Sequence, residues 1–234
     1  MILFLKLLLV HFLCDFVFQP ESWVRHKEIK KHKSSRLYIH SLLHGILSLA
    51  LVWELSFWPS ALAISLSHYL IDLAKLILQK ETNQKIWFFI DQALHLLVLG
   101  IIVWLWTGTW FDLSSLDAKK TFLTLTGIVF LTSPASVIIK MLVSGWTPNT
   151  EDRRNDSLQN AGKYIGILER LFVLAFILSN HWQAIGFILA AKSIFRFGDL
   201  TASKERKLTE YVMIGTLLSF GMAVLTGLLI QSLW

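Results

Sequence analysis

The sequence predicts an all-α integral membrane protein, a bundle of about eight transmembrane helices with both termini extracytoplasmic. Three observations carry that expectation. Hydrophobic residues make up 54% of the 234-residue chain and charged residues only 16%, against about a quarter charged in soluble domains. Apolar runs close to the ~20 residues that cross hydrocarbon as a helix recur along the whole chain. Basic residues gather in alternate loops, as they do when charge sets orientation. This composition excludes disorder and argues against a conventional soluble enzyme.

The segments that read as spans are 2–19, 37–53, 57–79, 86–107, 121–145, 159–180, 182–199 and 209–233. The first carries Lys6, His11 and Asp15 and lacks a small-residue cleavage site, so it reads as a retained span and not a removed signal. The second is short, and the sixth and seventh share a tight turn at Asn180-His181-Trp182. Six or seven full spans with a re-entrant segment is therefore an open alternative. Pro134 lies inside the fifth span, where it should kink the helix and free a carbonyl. The ten tryptophans fall at or near span ends, as indoles do in interfacial belts. The expected division is 1–107, rich in His and Asp, and 108–234, with basic residues inside the spans, the two forming one structural unit.

Orientation follows from the loops. Arg25, Lys27, Lys30, Lys31, Lys33 and Arg36, then Lys80 and Lys85, Arg153 and Arg154, and Lys204, Arg206 and Lys207 all fall on one side, while Lys119 and Lys120 fall on the other. The rich side should be cytoplasmic. Much of the net charge of +6 is thus a topology signal. The polar, basic 20–36 segment is expected to be a loop against anionic headgroups. Cys14 is the single cysteine, which leaves no intrachain disulfide and no cysteine metal cluster.

Ionisable groups at membrane depth cost roughly 2.5–3.5 kcal/mol each, so their pattern matters. His11 and Asp15, His40 and His44, His68 and Asp72, and Asp91 and His95 are each four residues apart, on four consecutive spans. That spacing puts both side chains of a pair on one helix face. Gln19 and Lys75 continue two of these faces. In the deduced topology all eight lie in the cytoplasmic half and can meet at one level. Imidazoles and carboxylates are ordinary ligands for a divalent metal, zinc first and iron or manganese next, with Asp15, Asp72 and Asp91 also available for catalysis. A proton or cation path and a purely structural polar network are the alternatives.

The second half has different chemistry. Gly162 and Gly166 form a small-xxx-small pair suited to close helix approach. Glu169, Arg170, Lys192 and Arg196 lie inside the sixth and seventh spans, and an unbalanced basic cluster there suits a phosphate or carboxylate of a substrate. Snorkelling and internal pairing, such as Glu169 with Arg196, are the alternative, favoured for Arg196 near a span end and not for the deeper Arg170 and Lys192. No Walker loop, nucleophile elbow, zincin motif or dinucleotide fingerprint occurs. The basic loops lack interleaved stacking aromatics, so no nucleic-acid partner is expected.

The stretches from His11 to Gln19, His40 to His44, His68 to Lys75 and Asp91 to His95 resemble the DUF3307 family, an uncharacterised family of bacterial multi-pass membrane proteins. Gly162 to Arg170, Ala191 to Phe197 and Glu210 to Thr216 are similar to a C-terminal region of longer members. The resemblance implies a bacterial inner-membrane location and carries no settled activity. The expected function is an intramembrane metal-dependent enzyme that hydrolyses, or transfers a group on, a lipid-linked or phosphate-bearing anionic substrate from the cytoplasmic side. A transporter or channel for protons, metal ions or small anions, and a non-catalytic membrane scaffold, are its rivals.

Overall fold

The computed structural model describes residues 2–108, 116–146, 156–196 and 203–233, without the side chains of 116–117, 156–161, 195–196 and 203–209. Every regular element among them is helical: α1 (Ile2–Phe16), α2 (Glu21–Lys30), α3 (Ser35–Val52), α4 (Trp58–Leu78), α5 (Gln84–Thr107), α6 (Leu116–Leu131), α7 (Ser133–Val143), α8 (Asp156–Leu178), α9 (Trp182–Arg196) and α10 (Ser203–Leu233). Ser35–Val52, Leu55–Leu78, Glu81–Thr107 and Glu210–Leu233 are each long and apolar enough to cross a membrane alone. Two bent pairs raise the total to six. The expected spans at 159–180 and 182–199 fall outside that set for different reasons. The first side chains of α8 are outside the described residues, and α9, at 15 residues, reaches only about 22 Å.

The segment expected as a loop after the first span is α2, set at 79° to α1. Its chemistry suits a short helix. Pro20 precedes it in extended conformation (φ −68°, ψ 154°), Glu21 lies in the first turn, and Lys27 and Lys30 lie in the last. A proline at the start needs no amide hydrogen bond, and the charges complement the helix dipole.

The chain forms two compact units, Met1–Thr126 and Gly127–Trp234. In the first, α1 packs on α3, α3 on α4, α4 on α5 and α5 back on α1, closing a ring of four helices. Its outer face is apolar: Leu42 and Ile46 on α3, Leu62, Leu66 and Leu70 on α4, and Leu97, Ile101 and Leu105 on α5 are all exposed. The four-residue spacing makes each of these one helix stripe. Exposed apolar stripes around a partly polar interior fit a lipid surrounding and would be a liability in water. Inside, one end is a dry layer of Leu7, Phe57, Ala61, Ile64, Leu99, Ile102 and Val103. Phe57 is wholly buried there and meets Trp106 edge-on, ring centroids 5.0 Å apart. One turn further along α1 the interior becomes polar at His11. α3 and α4 come close at Gly45, where a Cβ would stand 2.6 Å from the Ala61 carbonyl oxygen.

In the second unit α8 packs on α10, α7 and α9, and α7 on α10. The expected kink is present: α6 and α7 meet at 42°. Ser136 adds a second bond to the Thr132 carbonyl at the bend: its amide donates at 3.3 Å and its Oγ at 2.8 Å. The turn between α8 and α9 is as tight as expected. Asn180 takes a left-handed conformation (φ 61°), and the His181 amide donates to the Phe176 carbonyl at 2.7 Å, the six-to-one bond that closes helices ending this way. Close helix approach falls at Gly227, whose Cβ position is 2.8 Å from Ile177 Cδ1, and not at Gly162, around which nothing lies within 4 Å among the described residues.

Candidate metal centre

The four i, i+4 pairs of α1, α3, α4 and α5 converge in the polar half of the first unit. His11, His40, His44, His68, Asp72, Asp91 and His95 are buried, and the Asp15 side chain is 10% exposed. Each pair occupies the inward stripe of its helix, which places eight ligand-type side chains around one axis.

Asp15 Oδ1 is the hub. It lies 2.9 Å from His44 Nε2, 3.2 Å from His40 Nε2 and 3.6 Å from His68 Nε2. His40 and His68 oppose their Nε2 atoms at 3.0 Å. Ligands about 2.0–2.1 Å from a tetrahedral ion stand roughly 3.3 Å apart, so these separations bracket the edge of such a polyhedron. Hydrogen bonding alone serves the cluster poorly. His40 Nε2 faces Gln19 Nε2 at 2.7 Å as well as His68 and Asp15, yet an imidazole nitrogen carries one proton or one lone pair. The donor set, its spacing and this crowding fit a divalent cation.

A second group adjoins the first. Asp72 Oδ1 lies 3.7 Å from His95 Nε2, and Asp91 Oδ1 lies 3.4 Å from the same nitrogen. His68 and His95 stack at 4.0 Å, and His44 and His68 at 3.6 Å. Asp91 Oδ1 and His95 Nε2 are buried with no hydrogen-bond partner.

Three further side chains complete the site. Lys27 of α2 is buried and donates to Asp72 Oδ2 at 2.6 Å. Lys75 donates to Asp91 Oδ2 at 2.9 Å. Gln92 donates to Asp15 Oδ2 at 3.2 Å and faces His11 Nε2 at 3.3 Å. Lys75 continues a face already singled out in the sequence. Lys27 does not: it is one of six basic residues between 25 and 36, and nothing in their pattern marks the one that turns inward. Two ammonium groups against three carboxylates leave one negative charge uncompensated when the histidines are neutral. That charge sits at Asp15, whose near neighbours are imidazoles and Gln92.

Residues 3–124 match the family described as Protein of unknown function (DUF3307). The chain belongs to the DUF3307 family. The matched DUF3307 segment contains every candidate ligand together with Lys27, Lys75 and Gln92. Neither a curated protein nor a solved structure is significantly similar to the chain.

The expected substrate-binding residues lie beyond the DUF3307 segment, in the second unit. Arg170 is 3% exposed, and its guanidinium is bound internally. Nε donates to the Leu131 carbonyl at 2.6 Å, Nη2 to the Thr132 carbonyl at 3.1 Å and to Ser136 Oγ at 2.6 Å, and Nη1 to Ser219 Oγ at 3.1 Å. Both carbonyls lie at the α6–α7 break, and the Thr132 carbonyl also accepts from the Ser136 amide at 3.3 Å, so Arg170 braces the kink. Glu169 pairs with Lys192 at 2.6 Å. The Arg196 side chain lies outside the described residues, so the expected Glu169–Arg196 pairing does too.

Proposed function

We propose that the four-helix unit is an intramembrane divalent-metal centre serving a metal-dependent hydrolase or group-transfer enzyme, with Asp15, His44 and His68 as primary ligands and His11 or His40 as the fourth. The observation that carries this reading is the set of Asp15 Oδ1 distances to three imidazole nitrogens, 2.9, 3.2 and 3.6 Å. Three nitrogens and one oxygen suit zinc first, then iron or manganese. A divalent cation held there would supply Lewis acidity toward an ester or phosphoester oxygen. Asp72, with Oδ1 3.9 Å from His68 Nε2, lies beside the ligands, and Lys27 holds its other oxygen. Gln92 holds His11 and Asp15 in register.

The substrate proposed is lipid-linked and anionic, approaching from the cytoplasmic side. Arg25, Lys30, Lys31, Lys33 and Arg36 are exposed on and just after α2, the helix whose Lys27 reaches the centre, and they supply the headgroup contacts that Arg170 and Lys192, engaged internally, do not. The charge asymmetry of the loops supports eight crossings with both termini extracytoplasmic, in a bacterial inner membrane. The dry layer from Leu7 to Val103 supports a one-sided pocket over a transport path, because a path would have to cross it.

Elemental analysis of the protein purified without chelator is the test. About one ion per chain, lost in His68→Ala, is the expected result. Fewer than about half an ion per wild-type chain after metal supplementation would overturn the reading.

A further inference from the structure

We propose that Asp72, Asp91 and His95 form a second divalent-cation subsite beside the first, for which the ammonium group of Lys27 is the built-in competitor.

The division of labour between carboxylate oxygens points there. Asp72 Oδ2 is held by Lys27 at 2.6 Å and Asp91 Oδ2 by Lys75 at 2.9 Å. Each lysine takes the outer oxygen and leaves Oδ1 directed at His95 Nε2, at 3.7 and 3.4 Å. Asp91 Oδ1 and His95 Nε2 have no hydrogen-bond partner although the two residues are 2% and 4% exposed. Buried polar atoms are almost always satisfied, because an orphan costs the desolvation of the group. Two orphans facing the same point describe a place for something that accepts lone pairs from both. Two oxygens and one nitrogen suit Mn2+ or Fe2+ better than a soft ion. The subsite extends the metal-centre reading and rests on it for its part in the reaction, while its ion binding can be measured separately.

Charge explains why Lys27 matters. With Lys27 and Lys75 in place, the carboxylates of Asp72 and Asp91 are balanced by two ammonium groups, which disfavours a further dication. Lys75 sits on α4, inside the ring. Lys27 sits on α2, which leaves α1 at 79°. Withdrawal of Lys27 alone restores a net negative charge to the three ligands without disturbing the bundle.

The experiment uses the full chain loaded with zinc and freed of excess metal, then titrated with Mn2+ and read by electron paramagnetic resonance and by zinc content. About one equivalent of Mn2+ should bind without displacing zinc. His95→Gln and Asp91→Asn should each weaken Mn2+ by roughly tenfold or more while zinc stays. Lys27→Met should bind Mn2+ more tightly than wild type. No Mn2+ uptake by zinc-loaded wild type, or wild-type uptake by both ligand variants, overturns the subsite and leaves the first centre standing. Loss of zinc together with Mn2+ in both variants also overturns it, since the two centres would then be one. Unchanged or weaker binding in Lys27→Met removes the competitor role. Mn2+ uptake that obeys these variants in a chain that never retains zinc would sink the first centre and keep the second.

Discussion

Both units bury charged side chains, and they use them in opposite ways. In the second, Arg170 gives its donors to two backbone carbonyls and two hydroxyls around a proline break. In the first, eight ligand-type side chains face one another, and two of their buried atoms, Asp91 Oδ1 and His95 Nε2, make no hydrogen bond. A buried charge committed to the backbone is a structural brace. A cluster of lone pairs with unfilled demand is what a proposed binding site offers. Residue type alone does not separate the two; the partner does.

The contrast breaks first at Arg170. Arg170→Met should destabilise the second unit by about 3–5 kcal/mol, because carbonyls and hydroxyls lose a buried charged partner together. Thermal denaturation in detergent checks this, with metal content per folded chain expected to stay at the wild-type level. His68→Ala should do the reverse. It should lower metal affinity by roughly a hundredfold or more, about 2.7 kcal/mol, in a competition assay with a chromogenic chelator, while the metal-free protein melts near wild type. Matched losses of metal in both variants would erase the distinction drawn here. Gln92→Leu sharpens the comparison within the first unit: removing the amide that orients His11 and Asp15 should weaken metal binding by about 10–100-fold, measured in the same assay. Smallest of all, Arg25→Ala deletes an exposed pair with Glu21, 2.8 Å apart, and should move the melting free energy by no more than about 0.5 kcal/mol.

Much of this was legible from the chain. The segments 37–53, 57–79 and 86–107 correspond to α3, α4 and α5 within two residues at each end, because long charge-poor runs bounded by polar turns have few alternatives at membrane depth. Spacing alone brought His11, Asp15, His40, His44, His68, Asp72, Asp91 and His95 to one level, since i, i+4 pairs must share a face and the spans align their depths. The same logic failed at Lys27. Its helix is short and polar, so no hydrophobic period marks it, and the bend that swings it against Asp72 is a tertiary choice. It also misjudged Gly162 and Gly166. Small residues permit close approach, but the approach occurs where two helices cross, at Gly45 and Gly227.

Gly45 has a consequence of its own. It follows His44 directly and sets how near α3 comes to α4, and therefore how far His40 and His44 stand from His68. In the proposed metal centre, the radius of the ion accepted would thus be tuned by a residue that contributes no ligand. Enlarging Gly45 pushes α3 and α4 apart, so a wider cation should gain over a narrower one while every donor atom stays chemically the same.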